Sequence, residues 1–269
     1  MDDTHGELRD RLQTDRPHSA RVWNYLLGGK DNYPVDSEVG EAILATFPEF
    51  ATVARLQRQF LVRAVRYLAG EAGIRQFLDI GTGLPTADNT HEVAQRIAPD
   101  SRIVYVDNDP LVLTHARALL TSTPEGACAY LDADVRDPER ILVQARETLD
   151  FDRPIGLTLL SIMGQLSDED RPEAVVSALL DALPSGSYVA LTDGTDTNDA
   201  LNSAVAGYNE QSVHTYHLRS PERIAAFFEG LDLVEPGVVH TSAWRPDPDA
   251  PRPEASAVEA AMCGVGRKA

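Results

Sequence analysis

The chain has few of the features that mark secreted, disulfide-stabilised or membrane-spanning proteins. Its 269 residues include two cysteines, Cys128 and Cys263, and both lie in strand-like surroundings, so we interpret them as buried apolar side chains. No apolar run approaches the roughly 20 residues of a membrane span, and residues 1–7 lack the basic and apolar regions of a signal peptide. We therefore expect a cytoplasmic protein that neither spans nor binds a membrane.

The chain also has fewer basic residues than acidic ones. Lysine and arginine total 24 against 42 aspartates and glutamates, which gives a formal net charge of −18. The arginines of one predicted helix are spaced singly and form no basic groove for a polyanion; they are Arg55, Arg58, Arg63 and Arg66. This charge distribution disfavours nucleic acid as a partner, and the negative field favours a cationic cofactor or an amine-bearing small molecule.

Apolar strands alternate with amphipathic helices over most of the chain, which predicts a parallel sheet covered by helices. Hydrophobic residues make up 43% of the chain and charged residues 25%, as in an ordinary globular α/β protein. The predicted strands are 76–80, 102–106, 127–131, 155–161 and 187–192. The predicted helices between and after them are 89–98, 110–120, 138–148 and 168–182.

Two further regions flank these strand and helix units. Helices predicted at 19–28, 36–46 and 49–69 would form a cap that leans on the sheet. Two strands predicted near 231–235 and 256–265 would close the sheet. The sequence thus divides into a loose tail (1–16), a helical cap (17–70) and a cofactor-binding domain (71–269).

One apolar strand runs directly into a glycine-rich turn. Residues 76–80 are followed by Gly81, Thr82 and Gly83, so that Asp79 opens an Asp-x-Gly-x-Gly pattern. The two glycines remove the Cβ atoms that would block a ligand, and they permit a tight turn at the carboxyl edge of a parallel sheet. The pattern predicts a cofactor site. The alternative is a buried strand that merely ends in a glycine turn.

The next strand ends in an acid, Asp107, about 24 residues after Gly83. An acidic residue at that place can accept hydrogen bonds from both ribose hydroxyls of an adenosine. The third strand ends shortly before Asp134 and Val135, where a carboxylate can accept from the adenine amino group and a valine can cover the ring. Alternatives for this acidic stretch are a solvated turn and a calcium loop. An EF-hand would need Gly at 137 and Glu at 143, where aspartate and valine stand.

The sequence of the turn after Gly83 indicates which of two kinds of adenosine cofactor is bound. In a dinucleotide-binding turn, a third glycine lets the start of a helix meet the pyrophosphate. Here Thr86 takes that place, and helix signals begin only near Asn89. S-adenosylmethionine (SAM) carries no phosphate and needs a glycine turn with nearby polar groups. The pattern therefore favours SAM over NAD.

Three segments together resemble a known protein family. They are residues 19–33 (SARVWNYLLGGKDNY), 77–86 (FLDIGTGLPT) and 104–110 (VYVDNDP). The last two, with the Asp-Ala-Asp-Val stretch that contains Asp134, are similar to motifs I to III of class I SAM-dependent methyltransferases. From about residue 17 to its end, the chain resembles the actinobacterial SAM-dependent methyltransferase family formerly catalogued as a domain of unknown function.

The resemblance implies a Rossmann-like, seven-stranded methyltransferase sheet with an antiparallel last strand, and SAM as the cofactor. The residues implied to bind SAM are Asp79, Gly81, Thr82 and Gly83 at the methionine part, Asp107 at the ribose, and Asn108, Asp134 and Val135 at the adenine. The first segment would add Arg21, Lys30 and Tyr33, with Lys30 near the methionine carboxylate. The alternative for this segment is a helix that simply ends at Gly28.

Candidates for a catalytic group are weaker. His214, Tyr216 and His217 fall where methyltransferases often place substrate loops, and an imidazole can act as a general base near neutral pH. The alternative is that they are ordinary lid or surface residues. Family members often carry a histidine after the fourth strand, where this chain has 163–165 (Met-Gly-Gln), so no role is transferred there. No metal site is predicted, because His91 has no second histidine four residues later.

The sequence thus predicts a SAM-dependent methyltransferase that acts on a small molecule by in-line displacement, a reaction in which positioning removes most of the barrier. Two alternatives stay open. A non-catalytic SAM-binding or regulatory protein would share the cofactor motifs. An NAD-dependent oxidoreductase would share the strand, the glycine turn and Asp107. The sequence does not predict an oligomeric state.

Overall fold

Three helices precede the sheet. The computed structural model describes residues 14–119, 121–212, 214–250 and 253–269, so most of the predicted tail (1–16) lies outside the described residues. The cap helices are α1 (Ser19–Leu26), α2 (Pro34–Thr46) and α3 (Phe50–Gly70). Proline at the start of α2 and a capping box between Tyr33 and Asp36 fix where that helix begins.

Strands and helices then alternate, as predicted. Their order is β1 (Gln76–Ile80), α4 (Thr90–Ile97), β2 (Arg102–Asp107), α5 (Pro110–Leu119), β3 (Ala127–Asp132), α6 (Pro138–Ala145), β4 (Gly156–Leu160), α7 (Pro172–Asp181), β5 (Tyr188–Gly194) and α8 (Asp199–Gln211). The chain ends with α9 (Pro221–Ala226), β6 (Asp232–Leu233), β7 (Val239–His240), α10 (Ala255–Glu259) and β8 (Ala261–Arg267). None of the described helices is long and apolar enough to cross a membrane.

All strands in the described part of the chain belong to one eight-stranded sheet. Its order is β3-β2-β1-β4-β5-β8-β6, with β7 also paired to β8. Strands β1 to β5 are parallel, and β8 runs antiparallel to β5. The predicted Rossmann-like methyltransferase sheet with an antiparallel last strand is therefore confirmed. The strand near 231–235 is observed as β6, and the strand count exceeds seven because a second short strand that was not predicted, β7, follows it.

Two predicted elements differ from the structure in type or continuity, while the ends of others shift by a few residues. The helix predicted at 168–182 is interrupted at Arg171, whose φ of +52° lies outside the helical region. A short 3₁₀ turn (Asp168–Asp170) therefore precedes α7. The strand predicted at 256–265 begins as the helix α10, and β8 starts only at Ala261. A short apolar run does not by itself distinguish a helix from a strand.

Both faces of the sheet are buried. Successive residues of a strand point to opposite faces, and the two clusters that result are separate. Leu78 of β1 belongs to a cluster that includes Ile141 of α6 and Leu179 of α7. Phe77 belongs to another that includes Val65 of α3 and Val93 of α4. The helices on both faces hold β1, and hence the turn that follows it, in a fixed place.

A third apolar cluster joins the cap to the last long helix. It contains Val22 of α1, Ile43 of α2, and Leu201 and Tyr208 of α8. Because α8 follows the carboxyl end of β5, this packing brings the cap to the sheet edge at which the predicted cofactor residues lie.

Candidate functional site

The carboxyl ends of the parallel strands open into a cavity of about 210 Å³. Helices α1, α3 and α8 contribute its other walls. The predicted cofactor residues that line it are Asp79, Gly81, Thr82, Gly83, Asp107, Asn108, Asp134 and Val135. The structure thus brings three separate sequence motifs into one cavity, which is expected when neighbouring parallel strands end at the same edge.

The turn after β1 needs glycine for two reasons. Gly81 and Gly83 have φ angles of +73° and +65°, in the left-handed region that side chains disfavour. A Cβ atom at position 81 would also lie 2.6 Å from a side-chain atom of Ile162. The turn therefore presents bare backbone to the cavity.

The acid at the start of the motif is held inside the protein. Asp79 accepts hydrogen bonds from the hydroxyls of Thr90 (2.6 Å) and Thr158 (2.8 Å). Burial raises the pKa of its carboxyl, and the two hydroxyl donors oppose that rise. Arg58 of α3 lies near enough to act on this carboxylate, and it lines the same cavity.

The acid at the end of β2 is equally well positioned. Asp107 accepts from the backbone N–H of Gly83 (2.9 Å) and from that of Asp109 (2.9 Å). Burial raises the pKa of Asp107 to about 6, despite these two donors. A carboxylate held in this way can accept further hydrogen bonds from a diol.

The side chains beyond β2 and β3 are more open to solvent. The amide of Asn108 donates to the carboxylate of Asp134 (3.4 Å), which also pairs with Arg136 (3.2 Å). The side chain of Asp134 is 39% exposed, while Val135 is buried. This end of the cavity therefore offers one apolar wall and one accessible acceptor.

Three predicted residues do not line the cavity. Arg21 is buried and makes a bidentate pair with Asp109, with N–O distances of 3.0 and 3.1 Å. Its guanidinium also lies 5.2 Å from the ring centre of Tyr33. Lys30 is exposed. Among the described residues, the first segment therefore reaches the cavity through α1 rather than through Arg21, Lys30 or Tyr33.

Two of the three weaker catalytic candidates line the cavity. His214 and Tyr216 do so, and His217 does not. The hydroxyl of Tyr216 donates to Asp193 at the end of β5 (2.6 Å). Asp193 is fully buried and also pairs with Arg219 (3.1 Å). Neither charged partner was predicted, because the strand predicted at 187–192 stopped short of Asp193 and Arg219 lies in no predicted element.

Further residues in the cavity wall were not predicted. His18 lies 3.2 Å from Asp109 and stacks edge-on against His214, with 5.4 Å between ring centres. Burial lowers the pKa of His18 to about 4, so its ring is neutral near pH 7. Ser161, just past β4, has a φ of +56°. Because Ser161 follows a parallel strand, it lies at the same sheet edge as the glycine turn, and its presence in the cavity wall could have been predicted from the strand order alone.

Metal ligands are not grouped in the part of the chain that the structure describes. No set of three or more His, Cys, Asp or Glu side chains there could hold a metal ion. His91 instead contacts the hydroxyl of Tyr105 (2.8 Å) inside the protein.

Comparisons with known proteins agree with this geometry. The sequence model of the S-adenosyl methyltransferase family matches residues 5–269. A DUF574 family protein from Streptomyces avermitilis is 45% identical, with a TM-score of 0.91, over 96% of this chain and 100% of that one. A candidate methyltransferase from Thermobifida fusca is also 45% identical, with a TM-score of 0.88, over 96% and 97% of the two chains.

A more distant structure shows the fold alone. A SAM-dependent methyltransferase from Anabaena variabilis is 16% identical, with a TM-score of 0.52, over 75% of this chain and 80% of that one. A search of curated proteins found no match to the chain.

Proposed function

The chain belongs to the S-adenosyl methyltransferase family, whose cofactor is SAM, and from this premise we propose that it methylates a small molecule. The observation that carries the proposal is one cavity with two different halves. One half contains the glycine turn, Asp107 and Asp134. The other half is lined mainly by apolar side chains of α1, α3 and α8. A cofactor and an acceptor can therefore meet in one cavity.

The adenosine part of SAM fits the ends of β2 and β3. We assign the ribose hydroxyls to Asp107, whose carboxylate is already oriented by two backbone N–H groups. Asn108 and Val135 would flank the adenine, and Asp134 would accept from its amino group. Each of these residues lines the cavity.

The methionine part of SAM carries an ammonium and a carboxylate, and the turn offers a partner for each. Asp79 is the buried acid beside the turn and suits the ammonium. Arg58 suits the carboxylate, because it lines the cavity, acts on Asp79, and is held by donating to the carbonyls of Ala87 and Asp88 (3.2 Å each). We assign this role to Arg58 because Lys30 is exposed and does not line the cavity.

The start of α4 supports SAM over a dinucleotide. Its first turn is closed by a capping box, in which Asn89 and Glu92 each accept from the other's backbone N–H. The carboxylate of Glu92 would repel a pyrophosphate at this helix end. SAM has no phosphate and therefore needs no anion-binding site at the start of α4.

When bound, SAM supplies an electrophilic methyl group on a positively charged sulfur. The residues of the chain hold the reactants in line and keep water out, which supplies most of the rate enhancement. We also propose a cytoplasmic location, no nucleic-acid partner, and the division into a cap (17–70) and a SAM-binding domain (71–269). The net charge of −18 supports the exclusion of polyanions.

Calorimetry tests the cofactor assignment. We expect SAM and S-adenosylhomocysteine to bind and NAD not to bind; binding of NAD alone would support an oxidoreductase instead. Turnover separates an enzyme from a SAM-binding regulator. Formation of S-adenosylhomocysteine from SAM in the presence of phenol and aromatic-amine probes would support the enzyme, and its absence with every probe tried would favour the regulator.

A further inference from the structure

The loop after α8 brings a polar pair to the cavity that cofactor binding does not use. We propose that Tyr216, backed by Asp193, accepts the proton of the methyl acceptor, so that the acceptor is an apolar molecule with an N–H or O–H nucleophile. This inference rests on the proposed methyl transfer and specifies the substrate class of the same site.

The strand order separates the two reactants. Apart from Arg58 of α3, the residues assigned to the cofactor lie at or just after the ends of β1, β2 and β3, which are consecutive in the sheet. Strands β4 and β5 lie on the other side of β1. The acceptor must therefore approach from their carboxyl ends, where Ser161, Gly194 and Tyr216 line the cavity.

The ring of Tyr216 is fixed in this position. Its backbone N–H donates to the side chain of Asn209 (2.7 Å), whose amide donates back to its carbonyl (2.9 Å). The ring packs so closely on Gly164 that a Cβ atom there would lie 2.2 Å from it. Packing and two hydrogen bonds thus leave the phenol little freedom to turn away from the cavity.

The hydroxyl proton of Tyr216 points away from the cavity. It is donated to Oδ1 of Asp193 at 2.6 Å. The phenol oxygen also lies near the N–H of Gly194 (3.4 Å), which donates to Asp193 (3.1 Å) as well, and near the hydroxyl of Ser161, which itself donates to Gln57. A lone pair of this oxygen is therefore directed to the cavity and can accept a hydrogen bond from the acceptor.

Asp193 is placed to receive the proton. Its other oxygen is held by Arg219 (3.1 Å), which also donates to the carbonyls of Met163 (2.8 Å) and Leu166 (2.7 Å). Among the described side chains, Tyr216 is the one that both contacts this carboxylate and lines the cavity. Burial raises the pKa of Asp193 to about 6 and that of Tyr216 well above its usual value. The phenol therefore remains protonated at neutral pH and acts as a relay.

The proposed step conserves atoms and electrons. The lone pair of the acceptor's nitrogen or oxygen forms the new bond to the methyl carbon, and the carbon–sulfur bond breaks with its electrons going to sulfur. The acceptor's proton passes to Oη of Tyr216 while the tyrosine's own proton passes to Oδ1 of Asp193. Asp193 later releases that proton to water when the product leaves.

The cavity walls around Tyr216 and Asp193 indicate the polarity of the rest of the acceptor. They are apolar side chains from four parts of the chain: Trp23, Phe50, Leu201, Val205 and Leu218. A charged or highly hydroxylated body would lose its hydration here without compensation. The body of the acceptor is therefore apolar, and its polar group is the nucleophile itself.

Sinefungin tests the position of Tyr216 without a known acceptor. This SAM analogue carries an amino group where SAM carries the methyl group, and S-adenosylhomocysteine has no group there. We expect the Tyr216→Phe variant to bind sinefungin about tenfold more weakly or worse, with unchanged affinity for S-adenosylhomocysteine. Tyr130→Phe is the matched control, since its buried hydroxyl has no partner among the described residues and lies outside the cavity.

The role of Asp193 is tested with Asp193→Asn. At low pH, Asp193 of the native protein becomes neutral and can donate a hydrogen bond to the phenol oxygen of Tyr216. That bond occupies the lone pair that would otherwise accept from the amino group of sinefungin. The preference for sinefungin over S-adenosylhomocysteine should therefore be larger at pH 8 than at pH 5. Among the described residues, the charged side chain that faces Asp193 is Arg219. In Asp193→Asn the preference should be independent of pH.

The outcomes separate the two proposals. Equal losses for both ligands in Tyr216→Phe, or no loss for sinefungin, would overturn the role of Tyr216 while leaving the methyltransferase assignment intact. If the native protein binds neither ligand, the proposed function itself fails, and the inference fails with it.

Discussion

The carboxylate of Asp107 accepts a hydrogen bond from the backbone N–H of Gly83 at 2.9 Å. This bond joins the end of β2 to the turn after β1, so each motif orients the other before any ligand binds. The second oxygen of Asp107 is held by the N–H of Asp109. A ligand diol would therefore meet a carboxylate that does not need to reorganise.

Replacing this carboxylate should remove most of the affinity for SAM. Hydrogen bonds to a charged group contribute about 1.5–3 kcal/mol, so Asp107→Ala should weaken SAM binding by about tenfold or more in calorimetry. Asp132→Ala is the control, because Asp132 is the register partner of Asp107 on β3, is exposed, and does not line the cavity. Equal affinity of the folded Asp107→Ala protein and the native protein would exclude Asp107 from the site.

The second prediction is that a substitution in the glycine turn lowers both stability and SAM binding. Gly81→Ala combines a positive φ, which costs about 1–2 kcal/mol for a residue with a side chain, with a 2.6 Å approach to Ile162. Gly28→Ala has the same backbone strain (φ +79°) but no atom within 4 Å of the new Cβ. We expect Gly81→Ala to unfold at lower temperature than Gly28→Ala and to lose SAM binding.

A second substitution distinguishes crowding from backbone strain. Adding Gly81→Ala to an Ile162→Ala background should cost less stability than adding it to the native protein, because Ile162→Ala removes the two atoms nearest to the new Cβ, at 2.6 and 2.8 Å. Equal costs in the two backgrounds would show that the turn fails through its backbone conformation.

The methionine carboxylate supplies a third prediction. Arg58→Gln should weaken SAM more than adenosine, since adenosine lacks the carboxylate and a charge-assisted hydrogen bond contributes about 1.5–3 kcal/mol. Lys30→Gln is the control, because this exposed side chain does not line the cavity. Calorimetric titration of SAM and of adenosine into each variant tests this assignment. A selective loss in Lys30→Gln with none in Arg58→Gln would reverse the assignment.

The buried pair between Arg21 and Asp109 should contribute to stability rather than directly to binding. Removing one partner of a buried ion pair leaves the other charge uncompensated, which costs about 3–5 kcal/mol. We expect that loss for Arg21→Ala in chemical denaturation. Arg66→Ala is the matched control, since its pair with Asp247 spans 3.0 Å at the surface and such pairs contribute about 0–1 kcal/mol. Similar losses in the two variants would mean that the Arg21 pair is no stronger than a surface pair.

The motifs were predictable because each is continuous in sequence. Asp79, Asp107 and Asp134 follow neighbouring parallel strands, and the carboxyl ends of such strands meet at one edge. Their meeting in one cavity therefore follows from the order of strands and helices. The interruption at Arg171 has a local signal that the helix prediction overlooked, since Pro172 follows it and disfavours the helical conformation of the residue before it.

The remaining site residues depend on how distant elements dock. Arg58, Arg63 and Arg66 lie on one helix and look equivalent in the sequence. In the structure, Arg58 reaches the cavity, Arg63 is buried against the carbonyls of Trp244 and Thr241, and Arg66 pairs at the surface. A long side chain has no local pattern that reveals its partner. The pair of Tyr216 and Asp193 likewise joins residues from a loop and a strand end.

The last prediction concerns the pH dependence of SAM binding. Burial raises the pKa of Asp107 to about 6 in the free protein. Hydrogen bonds from a ribose diol favour the ionised carboxylate, so binding should lower this pKa. Affinity should then rise with pH up to about pH 6, by at most about tenfold per unit, and level off above it. His18 does not interfere, because burial holds its pKa at about 4 and it stays neutral over this range.

The sign for folding is the opposite of the sign for binding. Because the pKa of Asp107 is higher in the folded than in the unfolded chain, its contribution to stability is full at low pH and is lost as pH rises through about 6. Calorimetry of SAM from pH 5 to pH 8, in buffers of different ionisation enthalpy, should show proton release on binding below pH 6 that disappears at pH 8. In Asp107→Asn both the release and the rise in affinity should vanish. If they persist in that variant, another group carries the titration, and the carboxylate that Gly83 orients is not the one that the ribose meets.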